Sequence, residues 1–204
     1  MTLYEFDCGY RKDYPIVCGC DEAGRGPLAG DVFAAAVIFD KDTVIEGVND
    51  SKKLTAKKRE ELFDEITEKA LDFSIQTATV AEIEEINILN CAMLAMKRAV
   101  EDLDTKPDIC LIDGNKTPQL DCTAESVVKG DAKSQAIAAA SILAKVARDR
   151  YMLEMAEKYP QYQFEKHKGY GSKLHYQMID QFGSCEIHRL SFLKKYYAKK
   201  AEQS

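Results

Sequence analysis

The stretch IVCGCDEAGRGPLAGDVFAAAVIF, from Ile16 to Phe39, places an acidic pair and a Gly-Arg-Gly turn between two apolar runs. Residues 16–18 predict a short strand and residues 32–39 a second one, because short runs rich in Val, Ile and Phe are typical of buried strands. The segment between them is rich in glycine, so we expect the two strands to form a hairpin.

Asp21 and Glu22 in this stretch are the first candidates for chemistry. Gly24 and Gly26 follow them, and glycine allows both positive φ and the close approach of another molecule to main-chain N–H groups. An acidic pair beside glycine is also typical of a plain solvated turn. A structural and a chemical interpretation therefore both stay open at this point.

A dinucleotide-binding loop is a third interpretation, because Gly24-x-Gly26-x-x-Ala29 fits its glycine spacing. That loop requires a helix directly after the glycines. Pro27 and Gly30 interrupt the chain instead, and a strand is predicted next, so the pattern argues against a dinucleotide site.

The composition is that of an ordinary globular protein. Of 204 residues, 46% are hydrophobic and 30% charged, which predicts one main domain with a smaller appendage. No apolar run approaches the roughly 20 residues of a membrane helix, and there is no signal-peptide core, so we expect a cytoplasmic protein. Seven cysteines without a C-x-x-C pair argue against disulfides and a zinc site.

The net charge of −6 is unevenly distributed along the chain. Residues 166–200 contain eight Lys or Arg against two acids, so this segment carries +6 and the remainder −12. A basic, aromatic-rich segment suits a polyanion, although a lysine-rich tail is more often simply a solvated helix face.

Hydrophobic periodicity beyond the hairpin predicts alternating helices and strands. Helices are predicted at 55–70, 81–103 and 132–159, and strands at 71–80, 108–112 and 126–128. The alanines of the last helix would let its axis lie close to a sheet.

Two further aspartates stand at informative positions. Asp113 follows the predicted strand 108–112, and open α/β sheets place their sites at the carboxyl ends of such strands, although an ordinary Asp-Gly turn explains it equally well. Asp131 stands just before the helix at 132–159. An N-cap worth ~1 kcal/mol therefore competes with a catalytic role.

Four side chains are candidates for phosphate contacts. Ser51 and Lys52 lie in DSKKL, which lacks the glycine spacing of a P-loop but still combines a hydroxyl with two lysines. Lys145 and Arg148 share one helix face, where Asp149 makes a surface salt-bridge cluster at least as consistent with the pattern.

Seven ordered motifs together resemble those of the ribonuclease HII family. They span about Val17–Phe192 and are DEAGRGPLAG, DSKKL, NILNCAMLAM, IDGN, KGD followed by AIAAASILAKVARD, HKGYGS, and HRLSF. Ser172 stands where the family more often has threonine, a change that keeps the hydroxyl.

The resemblance implies the ribonuclease H-like α/β fold, with a mixed five-stranded sheet flanked by helices and a small helical C-terminal appendage. We accordingly expect a catalytic domain at residues 1–160. A basic helical region at 161–204 is expected to contribute to substrate binding.

The resemblance also implies the roles of individual residues. Asp21, Glu22, Asp113 and Asp131 match the acidic quartet of the family, which implies Mg²⁺ or Mn²⁺, two ions when substrate is bound. Four gathered carboxylates repel one another, so cations would stabilise them.

The ribonucleotide is expected to be recognised by Gly24, Arg25, Gly26 and Tyr170, again by the resemblance. A matching tyrosine in the family packs against the deoxyribose that follows the ribonucleotide. An aromatic plug in a glycine turn is the simpler alternative for Tyr170.

The implied activity is an endonuclease that hydrolyses the RNA strand of RNA–DNA hybrids. It is also expected to incise 5′ to single ribonucleotides in duplex DNA, leaving 5′-phosphate and 3′-hydroxyl ends. We expect a monomer whose partners are nucleic acids, with replication or repair factors as further candidates. Two alternatives stay open. One is another metal-dependent nuclease or strand-transfer enzyme of this fold, and the other is a catalytically silent module that binds hybrids. A silent module would be expected to lack one of the four acids.

Overall fold

A mixed five-stranded sheet lies at the centre of the computed structural model, which describes residues 1–49, 51 and 54–202. The strands are β1 (Val17–Ala23), β2 (Val32–Ile38), β3 (Asp72–Ala78), β4 (Ile109–Asp113) and β5 (Thr123–Val127). Their order is β3-β2-β1-β4-β5; β1 pairs antiparallel with β2 and parallel with β4. The predicted hairpin and the sheet are confirmed, and β1 is the central strand.

The described residues form seven α-helices. They are α1 (Leu3–Tyr10), α2 (Ala56–Lys69), α3 (Val80–Glu101), α4 (Gln135–Lys158), α5 (Phe164–His167), α6 (Lys173–Phe182) and α7 (Leu190–Ala201). Apolar side chains of α3 pack on one face of the sheet and those of α2 and α4 on the other. Within the described residues no helix is long and apolar enough to cross a membrane.

Helix α4 lies very close to the central strand. A Cβ atom placed on Gly19 of β1 would lie 2.2 Å from the main-chain carbonyl carbon of Ala136, so only glycine fits there. Ala138, Ala139 and Ala140 are also fully buried. The close packing predicted from the alanines is confirmed.

The helix predicted at 81–103 is interrupted at Asn87, where φ is 69° and ψ is 163°. The Asn87 side-chain oxygen accepts from the main-chain N–H groups of Leu89 (3.0 Å) and Asn90 (3.2 Å), and so starts the second part of α3. Periodicity did not reveal this kink, because hydrophobic spacing continues on both sides of it.

The C-terminal region is helical, as predicted, and it packs against the segment between β1 and β2. Its Tyr162, Phe164 and Ile187 form one apolar cluster with Ala29 and Met152. This packing places the C-terminal helices beside the glycine turn that follows β1. Whether residue 160 separates two domains stays a prediction.

Candidate active site

The acidic residues of β1 lie inside the strand and not in a turn. Asp21 pairs with Ala35 of β2 and Glu22 with Ala34, so the strand extends beyond the predicted residues 16–18. Main-chain pairing with the alanine-rich β2 outweighs the low strand propensity of acidic residues. Asp21 is only 6% exposed, which makes the solvated-turn interpretation wrong.

Asp113 reaches the same edge of the sheet, because β4 runs parallel to β1 with Cys20 opposite Ile112. The proximity is electrostatically unfavourable. Burial, and then the charges of Glu22 and Asp113, raise the pKa of Asp21 well above its ordinary value.

Two neighbouring groups partly stabilise the Asp21 carboxylate. The main-chain N–H of Glu22 donates to Oδ1 at 2.7 Å, and the Ser141 side chain of α4 is near enough to lower the pKa of the carboxyl group. Both lower the pKa of Asp21, but less than burial and repulsion raise it. A buried, repelled carboxylate at the end of a strand is a typical feature of a functional site.

Glu22 is paired with a basic residue of the turn that follows it. Arg25 Nη1 lies 3.1 Å from Glu22 Oε1. Burial raises the pKa of Glu22, and Arg25 offsets part of this effect.

Asp113 and Asp131 are connected through the main chain. Asp113 Oδ1 accepts from the N–H of Gly130 at 2.6 Å and of Asp131 at 3.4 Å. These bonds hold the loop after β5 against the end of β4. An isolated Asp-Gly turn therefore does not describe Asp113.

Asp131 does not cap α4. It lies in a 3₁₀ turn at Gly130–Ala132, and α4 begins later than predicted, with Ser134 as its N-cap. The Ser134 hydroxyl accepts from the N–H of Ile137 at 3.2 Å. The capping interpretation of Asp131 is wrong, and its burial at the end of the sheet needs another explanation.

The four acids do not form a ready-made cage. Within residues 1–49, 51 and 54–202, no three His, Cys, Asp or Glu side chains are already arranged to hold a metal ion. The donor chemistry nevertheless fits a divalent cation, because hard carboxylate oxygens suit Mg²⁺ and Mn²⁺ and a cation would relieve the repulsion at Asp21.

The glycine turn and Tyr170 lie together beside these acids. Gly24 has φ +100°, and a Cβ atom on it would lie 2.2 Å from Arg148 Nε, so the position requires glycine. A Cβ atom on Gly26 would lie 3.8 Å from Tyr170 Cε1. The Tyr170 side chain is 45% exposed, so its ring is accessible beside the turn.

Comparison with known proteins gives the family. The Ribonuclease HII family model matches residues 18–195. The chain is 58% identical over 183 residues to Ribonuclease HII of Caldicellulosiruptor bescii, which covers 90% of this chain and 89% of that protein. This chain belongs to the ribonuclease HII family. It is therefore a nuclease, and the family hydrolyses the RNA strand of RNA–DNA hybrids with divalent metal ions.

Solved structures of ribonuclease HII relatives confirm the fold. Ribonuclease H2 from Pyrococcus horikoshii OT3 has a TM-score of 0.72 at 29% identity, covering 86% of this chain and 93% of that one. The RNase HII of Archaeoglobus fulgidus, solved in a complex with PCNA, has a TM-score of 0.69 at 25% identity, covering 86% and 94%.

Arg148 does not face a substrate in this member of the family. It is 1% exposed, and its guanidinium donates to the carbonyls of Ala29 (3.0 Å), Asp31 (3.2 Å) and Lys168 (3.1 Å). A side chain buried in this way holds loops together. Arg148 therefore has a structural role in place of the phosphate contact that was predicted for it.

Lys145 forms the predicted alternative, a salt bridge. Its Nζ lies 2.6 Å from Asp149 Oδ1, and Arg59 lies 3.7 Å from the other oxygen of the same carboxylate. This cluster gives Lys145 a partner within the protein, so any phosphate contact would have to compete with Asp149.

Ser51 also differs from the expectation. It is 3% exposed, and its Oγ lies 2.9 Å from Ser141 Oγ. Ser51 is thus a buried hydrogen-bond partner of Ser141 and does not face a substrate. Lys52, with its neighbours Asp50 and Lys53, lies outside the described residues.

Sequence reasoning did not identify Ser141 and Arg189. Ser141 contacts Asp21, and its signal was a single hydroxyl in the alanine-rich run of α4. Arg189 is fully buried although it belongs to the basic C-terminal segment. Its signal was an arginine inside the short motif HRLSF. Its burial also removes one of the eight basic residues at 166–200 from the surface that a nucleic acid could contact.

Proposed function

We propose that this ribonuclease HII incises duplex DNA on the 5′ side of single embedded ribonucleotides, in addition to hydrolysing hybrids, and leaves 5′-phosphate and 3′-hydroxyl ends. One observation carries the proposal. The Gly24–Gly26 turn continues directly from the strand that bears Asp21 and Glu22, and Tyr170 lies against it. Recognition of a nucleotide and cleavage next to it therefore share one geometry.

The turn has the chemistry that a ribonucleotide requires. The 2′-hydroxyl is the group that distinguishes RNA from DNA, and it both donates and accepts hydrogen bonds. Rigid main-chain groups at Gly24, Arg25 and Gly26 suit it, because they cannot turn away as a side chain can. The exposed ring of Tyr170 beside Gly26 offers a flat apolar surface for the neighbouring sugar.

Asp21, Glu22, Asp113 and Asp131 are proposed as the ligands of two divalent ions, Mg²⁺ or Mn²⁺. When bound, such ions activate an attacking water and stabilise the leaving oxygen of an in-line displacement at phosphorus. The chain's own contribution is orientation. The N–H of Glu22 holds the Asp21 carboxylate, and the N–H groups of the loop at Gly130 hold that of Asp113.

Arg25 is proposed to change its partner during binding. In the structure it pairs with Glu22 at 3.1 Å, and its side chain is half exposed. A cation bound by Glu22 would weaken this pair, since both compete for the same carboxylate oxygens. The released guanidinium would then lie beside the turn, where a substrate phosphate suits its donors.

The C-terminal region is proposed to contribute further contacts. Lys173 of α6 and Lys194 of α7 are exposed, and apolar side chains of both helices pack on Leu28 of the segment after β1. We propose that the enzyme acts as a monomer. A replication factor is a candidate partner, because the Archaeoglobus fulgidus relative was solved with PCNA.

The substrate assay tests both the specificity and the metal. A duplex with one ribonucleotide, an RNA–DNA hybrid and an all-DNA duplex would each be incubated with Mg²⁺, Mn²⁺ or EDTA, and the ends of the products analysed. We expect cleavage of the first two with either metal, none of the third, and none with EDTA. If the enzyme cleaved the hybrid but left the single-ribonucleotide duplex intact, the proposed incision at single ribonucleotides would be rejected.

Tyr170 variants test recognition of the sugar. We expect Tyr170→Ala to lose most activity on the single-ribonucleotide duplex and less on the hybrid, whereas Tyr170→Phe keeps the stacking surface and much of both activities. Tyr197→Ala is the matched control, because Tyr197 is also a partly exposed tyrosine of the C-terminal region. Equal losses on the two substrates in Tyr170→Ala would remove the specificity role.

A further inference from the structure

Arg189 binds the main chain of the glycine turn from the interior of the protein. It is fully buried and donates to four main-chain carbonyls of the segment after β1. Nη2 bonds Gly24 (2.7 Å) and Gly30 (2.6 Å), Nη1 bonds Arg25 (3.1 Å) and Pro27 (2.9 Å), and Nε bonds Gly30 (2.9 Å). All five N–H donors of the guanidinium therefore have carbonyl acceptors in one short segment.

These bonds determine where the amides of the turn point. In a planar trans peptide the C=O and the following N–H point in opposite directions. Because the carbonyls of Gly24 and Arg25 point toward Arg189, the N–H groups of Arg25 and Gly26 point away from it. Arg189 thus orients two donors toward the opposite side of the turn.

The neighbouring residue, His188, is bound to the same segment through its main chain. Ala29 and His188 form an antiparallel bridge. The N–H of Arg189 donates to the Leu28 carbonyl at 2.8 Å, and the N–H of Gly30 donates to the Ile187 carbonyl at 2.8 Å. This short ladder fixes the position of the His188 side chain relative to the turn.

That side chain begins a hydrogen-bond chain to Tyr170. The Nε2 atoms of His188 and His175 lie 3.0 Å apart, and His175 Nδ1 lies 3.0 Å from the Tyr170 carbonyl oxygen. A carbonyl only accepts, so His175 carries its proton on Nδ1. A neutral His175 then accepts at Nε2, and His188 must donate from its own Nε2.

The far end of the chain agrees with this direction. His188 Nδ1 accepts from the N–H of Cys185 at 2.9 Å, as expected when its proton is on Nε2. Both rings are buried, and burial lowers the pKa of each histidine to about 4. Tyr162, Phe164 and a third histidine, His167, surround the pair.

We propose that His188 and Arg189 form a two-residue bracket that fixes Tyr170 against the glycine turn and thereby sets the preference for a ribonucleotide–deoxyribonucleotide junction. Arg189 holds the turn, and His188 holds Tyr170 through His175. Both are positioning residues, and neither touches the substrate. The inference rests on the proposed function of Tyr170, and it identifies the residues that position Tyr170 beside the turn.

The donor and acceptor roles in this hydrogen-bond chain can be measured without substrate. Long-range ¹H–¹⁵N correlation spectra distinguish the two neutral histidine tautomers. In the wild-type protein we expect His175 with its proton on Nδ1 and His188 with its proton on Nε2 at neutral pH. A proton on Nε2 of His175 would overturn the bracket, whatever the enzyme cleaves.

A matched pair of variants tests the effect on selectivity. The side-chain nitrogen of His175→Asn lies near the Nδ1 position and can still donate to Tyr170, whereas His175→Gln places its nitrogen near Nε2. We expect His175→Gln to lower the ratio of kcat/KM on the single-ribonucleotide duplex to that on the hybrid by about tenfold, and His175→Asn to lower it less.

Tyr162→Phe is the control for damage to the same cluster. It removes the bond from the Tyr162 hydroxyl to the Gly183 carbonyl and leaves the histidine chain intact, so we expect lower stability with an unchanged ratio. An equal ratio in wild type and His175→Gln would overturn the bracket. If the wild type does not incise the single-ribonucleotide duplex, the proposed function fails, and the tautomers still decide the bracket. If the variants do not fold, the wild-type spectra decide it as well.

Discussion

The acidic edge of the sheet and the arginines beneath the glycine turn both bury charge, but they stabilise it in opposite ways. Arg189 has five hydrogen bonds to carbonyls and Arg148 has three. Asp21 faces two further negative charges, and its hydrogen bonds do not offset their effect. A buried charge that the protein satisfies is structural, and one that it leaves unsatisfied is suited to bind something else.

The largest expected effect is loss of catalysis at the unsatisfied charges. Asp21→Asn and Asp113→Asn keep the side-chain volume but remove a proposed ligand charge, and we expect turnover to fall on the order of a thousandfold or more. Repulsion falls too, so the melting temperature of Asp21→Asn in EDTA should equal or exceed that of the wild type. Wild-type turnover in either variant would remove it from the ligand set.

Asp131 and Ser134 give a sharper contrast, because they are close in sequence and differ in role. Asp131→Asn should lose most activity at an unchanged melting temperature. Ser134→Ala should lower the free energy of unfolding by about 1 kcal/mol, the usual value of an N-cap, and keep kcat. Urea unfolding and single-turnover rates measure both. An active Asp131→Asn enzyme would contradict its proposed role.

The satisfied charges should affect stability more than catalysis. Arg148→Lys retains the charge but cannot supply three donors in the same plane, so we expect a loss of roughly 2–3 kcal/mol of unfolding free energy. Lys145→Met removes a partly exposed ion pair and should change stability by less than about 1 kcal/mol. If Arg148→Lys were as stable as the wild type, Arg148 would not hold the loops.

The histidine pair predicts a pH dependence. Burial lowers the pKa of His175 and of His188 to about 4, so the unfolded chain binds more protons between that value and the ordinary pKa. Their contribution to stability is therefore present above about pH 6.5 and lost as the pH falls toward 4. The free energy of unfolding, measured with urea at several pH values, should depend less steeply on pH in this window for His175→Asn than for the wild type.

The stability contribution of Asp7 should depend on pH in the opposite direction. Asp7 belongs to α1 and is buried against the start of α4, where its carboxylate accepts from the N–H of Ala136 at 2.9 Å. Burial raises the pKa of Asp7 to about 6. A raised carboxyl pKa means that stability is lost as the pH rises through 6. Asp7→Asn should thus be more stable than the wild type above that pH, by roughly 1 kcal/mol. A less stable variant there would show that the charged form is favoured.

Much of this protein follows from local sequence. Short apolar runs and one alternating apolar–polar run predicted five strands, the alanines of α4 predicted its close packing, and the position after a buried strand singled out Asp113. The ordered motifs indicated the family. These features depend on side-chain spacing along one segment, which the sequence contains directly.

Other features depend on segments that are distant in the chain, and only the tertiary structure decided them. Arg148 and Arg189 look like surface cations in sequence, but main-chain carbonyls, most of them in the segment after β1, satisfy them inside the protein. Asp21 and Glu22 lie in a strand because β2 pairs with them. His175 and His188 form one hydrogen-bond chain and His167 stacks on His175, because α5, α6 and the segment before α7 meet. Burial of a polar group depends on partners that fold beside it, and local spacing does not encode them.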